Sequence, residues 1–249
     1  FMRTAAILLG TMALLATNAI VSDAAEGARS VGAGQGTLVE TSRDNPCGYP
    51  RMHGDTEYEN AYSWNLWYPQ EAPYYTSFAE YFTGGTPEVC AVILDLTRPG
   101  NYPPLPVHLI VWDDQGGMPG NVIALTQNVD VSPISIWPEV SRHVLPLASP
   151  CYPQYSWWVG FCLVGTEYQY PANYVAADLS EDAPAGRPYT NIPPGWGYPE
   201  GWQSVEVVWG ETTALGIGIL AHTMLPSATP EPRGMVTSWG KVKELTRGR

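Results

Sequence analysis

The feature that most constrains the fold of this chain is the alternation of short apolar bursts with proline and glycine. Its 249 residues include 24 prolines and 25 glycines. Over the body of the chain, from Cys47 to about Ala221, no stretch shows the 3.6-residue apolar stripe of an amphipathic helix. The bursts are rich in β-branched and aromatic residues and span 88–97, 105–114, 121–131, 141–147, 156–165, 174–179, 204–210 and 214–220. The sequence therefore predicts an all-β fold, a jelly-roll-like antiparallel β-sandwich over residues 47–225.

Residues 1–24 are predicted to be a signal peptide. Arg3 precedes an apolar run over 5–21, and Ser22-Asp23-Ala24 fits the small-x-small rule of signal peptidase, which makes Ala25 the expected mature start. The run is short and carries polar residues, so we expect no retained membrane span. An alternative is a retained anchor, because the opening resembles processed type IV pilins, although these carry Glu where this chain has Ala5. The predicted location is secreted or on the cell surface.

Three segments lie outside the predicted body. Residues 25–46 are poor in apolar side chains and are expected to form a flexible arm or an added strand, which the alternation in TLVETS favours. Residues 226–234 are a proline-rich linker, and 235–249 form a basic tail. The tail repeats apolar residues at a spacing of three, which suits one face of a short helix or an added strand that docks on a partner; these are Val236, Trp239, Val242 and Leu245.

The charge balance excludes one class of partner. There are 24 acidic residues against 12 Lys and Arg, a formal net charge of −12. So acidic a chain is repelled by phosphate backbones, and we expect no nucleic-acid binding. Only 14% of the residues are charged, so the chain is not a disordered polyanion either.

Four cysteines follow the predicted signal peptide: Cys47, Cys90, Cys151 and Cys162. An even number in an exported chain predicts two disulfides, with three connectivities left open. No CxxC spacing indicates a zinc site.

The stretch VWDDQGGMPGNVIAL over 111–125 is predicted to be a hairpin. Alternating apolar residues flank DQGGMPG, whose residues tolerate the backbone angles of a tight connection. Asp113 and Asp114 alone provide too few oxygen ligands for calcium, and Asp114 is expected to bind the backbone of its own turn.

The strongest metal candidate is the loop after the strand at 174–179. Asp178, Glu181 and Asp182 could hold calcium together with backbone carbonyls, while the alternative is a solvated acidic loop. We expect no other cofactor. The histidines are scattered, and no nucleophile elbow, zincin motif or phosphate loop is present, so no catalytic residue is predicted. His108 is expected to be a structural histidine of the sheet.

The segment 62–82 is the densest in aromatic residues. Exposed Trp and Tyr rings bind sugars by stacking. Five residues of the segment are therefore candidates for a glycan platform or for a subunit contact: Trp64, Trp67, Tyr68, Tyr74 and Tyr75. The alternative is that they pack in the core. In the second aromatic loop, over 191–205, Trp196, Tyr198 and Trp202 are expected to cover one end of the core.

Several stretches together resemble a group of uncharacterised exported bacterial β-sandwich proteins with a recurring TxWGxxKxL tail. They cover most of 57–245 and are YENAYSW, FAEYF, VCAVILDLT, VWDDQGGMPGNV, IWPEVSRH, WWVGF, YVAADL, PYTNIPPGWGYPEGWQSVEVVWG, ALGIG and TSWGKVKEL. The hairpin is similar to one in accessory domains of surface adhesins and glycan-binding proteins. The resemblance implies secretion and a β-sandwich, and it provides no catalytic residue.

Two functional hypotheses follow. The first is a non-enzymatic structural or adhesive surface protein, a filament-type subunit that self-associates, or binds a cell-surface partner, by exchange of a terminal segment. The second is a module that binds polysaccharide. A secreted hydrolase is the third, because acids on different strands can converge in space.

Overall fold

The computed structural model describes residues 27–32, 34–40, 47–64, 71–85, 87–165, 173–181 and 184–222. Two sheets pack face to face in this part of the chain, and the predicted all-β sandwich is confirmed. Among the described residues, no helix is long and apolar enough to cross a bilayer.

The first sheet has nine strands, numbered here in chain order through the whole molecule. Its path is β1 (Ala28–Ser30), β4 (Asn60–Trp64), β11 (Tyr174–Asp178), β6 (Glu88–Thr97), β15 (Ile217–His222) and β3 (Tyr49–Met52). Off this path, β14 (Ala214–Leu215) pairs with β11, β9 (Glu139–Cys151) pairs with β6, and β2 (Thr37–Glu40) pairs with β9. The β2–β9 ladder is parallel, and the other ladders of this sheet are antiparallel.

The second sheet has six strands, all in antiparallel ladders. Its order is β13 (Gly201–Ser204), β12 (Tyr189–Ile192), β5 (Phe78–Thr83), β10 (Ser156–Leu163), β7 (Val107–Asp114) and β8 (Pro119–Val129). The core between the sheets is built from alternate residues, as the period of a strand requires. In β10, for example, Trp157, Val159 and Phe161 belong to the main core cluster and are fully buried.

The predicted strand over 204–210 is wrong in part. Only the end of β13 lies there, and Glu206–Trp209 form a single helical turn, α1. The N–H of Trp209 donates to the Val205 carbonyl at 3.0 Å, and that of Gly210 to the Glu206 carbonyl at 3.0 Å. The turn brings Val205 and Trp209 onto the core, so packing overrides the strand preference of the valines.

The N-terminal arm belongs to the sandwich. Ala28 lies opposite Trp64 in the β1–β4 ladder, and Leu38 lies opposite Val140 in the β2–β9 ladder. Residues 28–30 and 37–40 of the arm are therefore added strands, and the sheet that they join is the chain's own. The sandwich extends N-terminally of the boundary expected at residue 47.

One disulfide joins Cys47 to Cys90, with Cα atoms 6.3 Å apart and a sequence separation of 43. The second disulfide expected from the cysteine count is wrong, because Cys151 and Cys162 are buried thiols. Cys151 packs in the core between the sheets, whereas Cys162 lies on the outer side of the six-stranded sheet. The sheet separates the two sulfur atoms, so they cannot form a bond.

A buried polar network lies on the outer side of the nine-stranded sheet. The Asp95 carboxylate accepts hydrogen bonds from Arg142 Nε at 2.9 Å and from a terminal nitrogen of the same guanidinium at 2.7 Å. The Tyr58 hydroxyl also donates to Asp95. Asp95 is completely buried, and the side chain of Arg142 is 20% exposed. The ion pair cross-links β6 and β9, where the two residues lie opposite each other.

Candidate functional site

The outer side of the six-stranded sheet is aromatic. An antiparallel sheet usually packs one side on the core and presents a polar side to water. Here the outward positions of five strands carry Tyr81, Trp112, Trp158, Tyr189 and Trp202, which cluster apart from the main core. We call this set of five residues the aromatic face.

The strand registers set the rings side by side. Tyr81 lies opposite Trp158, and Trp158 lies opposite Trp112, so the three form a row across β5, β10 and β7. The ring centroids of Trp158 and Tyr81 are 5.0 Å apart, and those of Trp158 and Tyr189 are 4.8 Å apart. These are favourable distances for tilted aromatic pairs, so the rings hold one another in fixed positions.

The aromatic face is curved. Trp112 and Trp202 meet edge to face with centroids 5.2 Å apart, although β13 and β7 are separated by four steps in the strand order. Four steps correspond to about 19 Å in a flat sheet, which is more than two indole side chains can bridge. The sheet must therefore bend toward this side, and the two indoles lean across the strands between them.

The face has a buried floor and an accessible upper layer. Trp112 is 2% exposed and Trp158 is not exposed at all. Tyr81, Tyr189 and Trp202 are half-buried, so part of each residue meets solvent. A ligand on this face would contact the upper layer, while the floor fixes the position of that layer.

The hairpin between β7 and β8 supports the floor, and its prediction from the sequence is confirmed. Asp114 accepts hydrogen bonds from Trp158 Nε1 at 3.0 Å, from Ser156 Oγ at 3.1 Å and from the Gly117 N–H of its own turn at 3.1 Å. Gly117 has a φ of 87°, in the left-handed region that favours glycine. The opposite side of the turn is closed by Asp113, which accepts the N–H of Asn121 at 2.5 Å.

Arg187 lies on the aromatic face. Its guanidinium carbon is 4.9 Å from the ring centroid of Tyr81, 5.7 Å from that of Trp158 and 6.0 Å from that of Tyr189. These distances are within the range of cation–π attraction. The side chain is exposed, and one terminal nitrogen donates to the Gly117 carbonyl at 3.3 Å.

Glu80 anchors the backbone of Arg187 from the core side of the same sheet. This fully buried carboxyl accepts the N–H of Arg187 at 3.0 Å and the N–H of Leu215 at 2.7 Å. Burial raises the pKa of Glu80 to about 8, against the opposing effect of the hydrogen bonds from the Leu215 and Arg187 N–H groups. The carboxyl also requires Gly186, because a Cβ there would lie 2.5 Å from Glu80 Oε2.

The predicted glycan platform is only partly at this face. Trp64 is fully buried in the core, where its Nε1 donates to Thr190 Oγ1 at 2.7 Å, so for Trp64 the packing alternative is correct. Tyr74 is half-buried and packs against the cluster of the aromatic face. The Tyr75 hydroxyl donates to Glu200 at 2.5 Å. Trp67 and Tyr68 lie outside the described residues.

The second aromatic loop divides between two surfaces. Trp196 and Tyr198 pack against the main core, as expected, and the Trp196 ring centroid is 5.2 Å from that of Trp64. Trp202 was expected at the same end of the core, and this prediction is wrong. It belongs to β13, whose alternation turns it to the outer side of the sheet.

Asp178 of the predicted calcium loop is a buried structural residue. Its Oδ1 accepts the N–H and the hydroxyl of Ser180 at 2.8 and 2.7 Å, and its Oδ2 accepts the N–H of Asp55 at 3.1 Å. Glu181 is exposed, and Asp182 lies outside the described residues. Within the described ranges, no three His, Cys, Asp or Glu residues group closely enough to hold a metal ion. The residues of the predicted tail motif, Val236, Trp239, Val242 and Leu245, also lie outside those ranges.

Two histidines, His108 and His53, have structural contacts. His108 is 4% exposed, its Nδ1 accepts the N–H of Asn128 at 3.1 Å, and burial lowers its pKa. His53 Nε2 lies 2.9 Å from the Tyr81 carbonyl oxygen, and burial likewise lowers its pKa.

The sequence contained one signal for the aromatic face that was not used. Trp157 and Trp158 are adjacent within a predicted strand, so one of them must face outward whichever way the strand is oriented. Whether Tyr81 and Tyr189 point outward depends on which alternate residues of their strands face the core. The turn residues at the strand ends do not determine this.

Comparison with known proteins does not add to the site. No family model, no curated protein and no solved structure matches this chain.

Proposed function

We propose that this protein is an exported, non-enzymatic adhesive module that binds polysaccharide through its aromatic face. The observation that carries the proposal is the position of that face, on the outer side of a sandwich sheet where polar residues are usual. The partly exposed residues of this face, Tyr81, Tyr189 and Trp202, suit a partner with flat apolar patches. The Cys47–Cys90 disulfide supports export, because such bonds persist in oxidising compartments.

The chemistry of the face favours sugars over an apolar protein partner. Its accessible upper layer consists of Tyr81, Tyr189 and Trp202, which combine a ring with a hydroxyl or an indole N–H. A pyranose ring has the same dual character, with C–H groups on its faces and hydroxyls at its rim. Arg187 adds charged donors, and Glu200, at the hydroxyl of Tyr75, adds an acceptor in the same aromatic loops.

Removing one ring of the upper layer should weaken binding without unfolding the protein. We expect Trp202→Ala and Tyr189→Ala each to reduce affinity for β-linked glucan about tenfold, since each ring contributes both area and stacking geometry. Tyr49→Ala is the matched control, because Tyr49 is 76% exposed on β3 of the other sheet. Affinity electrophoresis in gels that contain the polysaccharide gives the retardation of each variant.

Three outcomes of that experiment count against the proposal. Equal retardation of wild type and both face variants would locate binding elsewhere, and no retardation with any polysaccharide would remove the proposed ligand. Release of reducing sugar during incubation would indicate a hydrolase instead.

Self-assembly through the C-terminal tail is a second candidate, and the edge of β8 favours it. This 11-residue strand borders the six-stranded sheet, and among the described strands it pairs only with β7. It contains no charged residue, and Val122 and Ile123 are 41% and 40% exposed. Edge strands are commonly protected by charge, so this edge suits an added strand from another chain.

Deletion of residues 234–249 is expected to abolish self-association if the tail of a neighbouring copy pairs with this edge. The tail combines apolar residues with basic ones that complement an acidic body. Light scattering behind a sizing column measures the change in mass, and Val122→Lys, which introduces a charge at the edge, should reproduce it. A deletion variant with the same mass distribution as the full chain would contradict this candidate.

A further inference from the structure

We infer that Arg187 determines the specificity of the aromatic face, and that the ligand is a neutral, β-linked polysaccharide whose hydroxyls accept hydrogen bonds from its guanidinium. This inference rests on the proposed function and adds a ligand class and a discriminating residue. Four observations carry it: the position of the guanidinium, the anchoring of its backbone, its unused donors and the charge around it.

The guanidinium lies beside two of the three rings of the accessible layer, Tyr81 and Tyr189. It lies within 4.9 to 6.0 Å of three ring centroids on three neighbouring strands, those of Tyr81, Trp158 and Tyr189. The guanidinium lies over Tyr81, so a sugar ring that stacks on the neighbouring Tyr189 would have its rim hydroxyls beside the guanidinium. Stacking and hydrogen bonding would act on the same sugar unit.

The main chain of Arg187 is fixed from the buried side. Its N–H donates to Glu80 Oε2 at 3.0 Å, and the preceding N–H of Gly186 donates to the Thr213 carbonyl at 2.9 Å. Glu80 itself is fully buried. The start of the side chain is thus held in place, whereas its exposed end can adjust to a ligand. Such pre-positioned donors lose little freedom when a ligand binds.

Most of the donors of the guanidinium are open to a ligand. An arginine offers five N–H groups, and the Arg187 side chain uses one of its terminal nitrogens to donate to Gly117 O. In the described ranges, no carboxylate lies within 4.0 Å of the Arg187 guanidinium, whereas Arg142 is paired with Asp95. The planar guanidinium can donate two hydrogen bonds side by side, and a β-1,4-linked glucan presents adjacent equatorial hydroxyls at C2 and C3 of each ring.

The surrounding charge favours a neutral ligand. The chain has a net charge of −12, and the carboxylates of Asp113 and Asp114 lie in the hairpin that Arg187 touches. A polyuronate carries one negative charge per sugar, and the negative charge of the protein would repel it. A single arginine offsets only one of the ligand's charges. A neutral polymer meets the rings and the donor fork without that repulsion.

The test compares cellohexaose with its C6-oxidised uronate form, which has the same backbone and linkage. Titration calorimetry on the full chain at about 0.15 M salt gives both affinities for wild type, Arg187→Met and Arg187→Lys. Methionine keeps the apolar stem and the backbone N–H that Glu80 binds, and lysine also keeps the charge. We expect wild type to bind the neutral hexaose more tightly, and we expect both variants to lose roughly tenfold in affinity for it, because neither has the fork.

The outcomes separate this inference from the proposed function. Wild type that binds the neutral hexaose, with Arg187→Met within twofold of it, would overturn the role of Arg187 and leave the proposed function standing. Tighter binding of the oxidised hexaose, lost in Arg187→Met, would overturn the neutral ligand. If wild type binds neither hexaose and no other β-glucan, the proposed function itself fails. Thermal melting by circular dichroism checks folding, and Arg187→Lys decides the matter if the methionine variant melts early.

Discussion

Replacing Arg142 with methionine is expected to lower the free energy of unfolding by about 3 to 5 kcal/mol. The substitution leaves the Asp95 carboxylate fully buried, with the Tyr58 hydroxyl as a remaining donor and without its counter-charge. An uncompensated buried charge is among the most destabilising changes a single substitution can make. Urea unfolding followed by tryptophan fluorescence measures the difference.

The matched control is Arg142→Met combined with Asp95→Asn. Asparagine has nearly the volume of aspartate and keeps an acceptor for the Tyr58 hydroxyl, but it carries no charge. We expect the double variant to recover at least half of the lost stability. A single variant that loses less than about 1 kcal/mol, the range of an exposed pair, would show that the pair is not buried as described.

The stability of the protein is expected to fall as the pH rises from 5 to 8, and Glu80→Gln should remove most of that fall. The pKa of Glu80 is raised to about 8 from an ordinary value of 4.5, so the folded state binds the proton more tightly than the unfolded chain. The stabilisation is therefore fully present below pH 4.5 and is lost as the pH rises through 8. Since one unit of pKa corresponds to about 1.4 kcal/mol, the whole contribution is at most about 5 kcal/mol.

Glutamine replaces the protonated carboxyl with a neutral group of the same shape. At pH 5 we expect wild type and Glu80→Gln to differ by no more than about 1 to 3 kcal/mol, the effect of one altered buried hydrogen bond. At pH 8 the variant should be the more stable of the two. Glu206→Gln, on the exposed turn α1, controls for the loss of one negative charge. Identical pH slopes for wild type and Glu80→Gln would contradict this account of Glu80.

The strands and the hairpin could be predicted because their signals are local. Gly116, Gly117 and Pro119 define the turn after Asp114, and alternating apolar residues define the strands on either side. The pairing order could not be predicted, since β12 and β13 join β5, which lies in a distant part of the chain. For this reason the sequence misplaced Trp202 at the end of the core.

Side-chain direction explains the other differences. Trp64 is one of several aromatic residues in its segment. It is buried because its side chain points toward the core from β4, and the composition of the segment does not reveal that direction. With Cys47 joined to Cys90, the even number of cysteines predicts that Cys151 and Cys162 form a disulfide, but they lie on opposite sides of the six-stranded sheet. Glu80 is an acid at an inward position, and its burial depends on backbone donors from Arg187 and Leu215, which are far away in sequence.

The most direct test of polysaccharide binding at the aromatic face is to record the indole N–H resonances of ¹⁵N-labelled protein during titration with cellohexaose. The account predicts that the resonance of Trp202 shifts, with smaller shifts for Trp112 and Trp158 beneath it, whereas those of Trp64 and Trp157 in the core stay in place. Assignment by single Trp→Phe variants identifies each signal. Unchanged resonances at all three face tryptophans at saturating cellohexaose, or shifts confined to tryptophans outside the face, would contradict it.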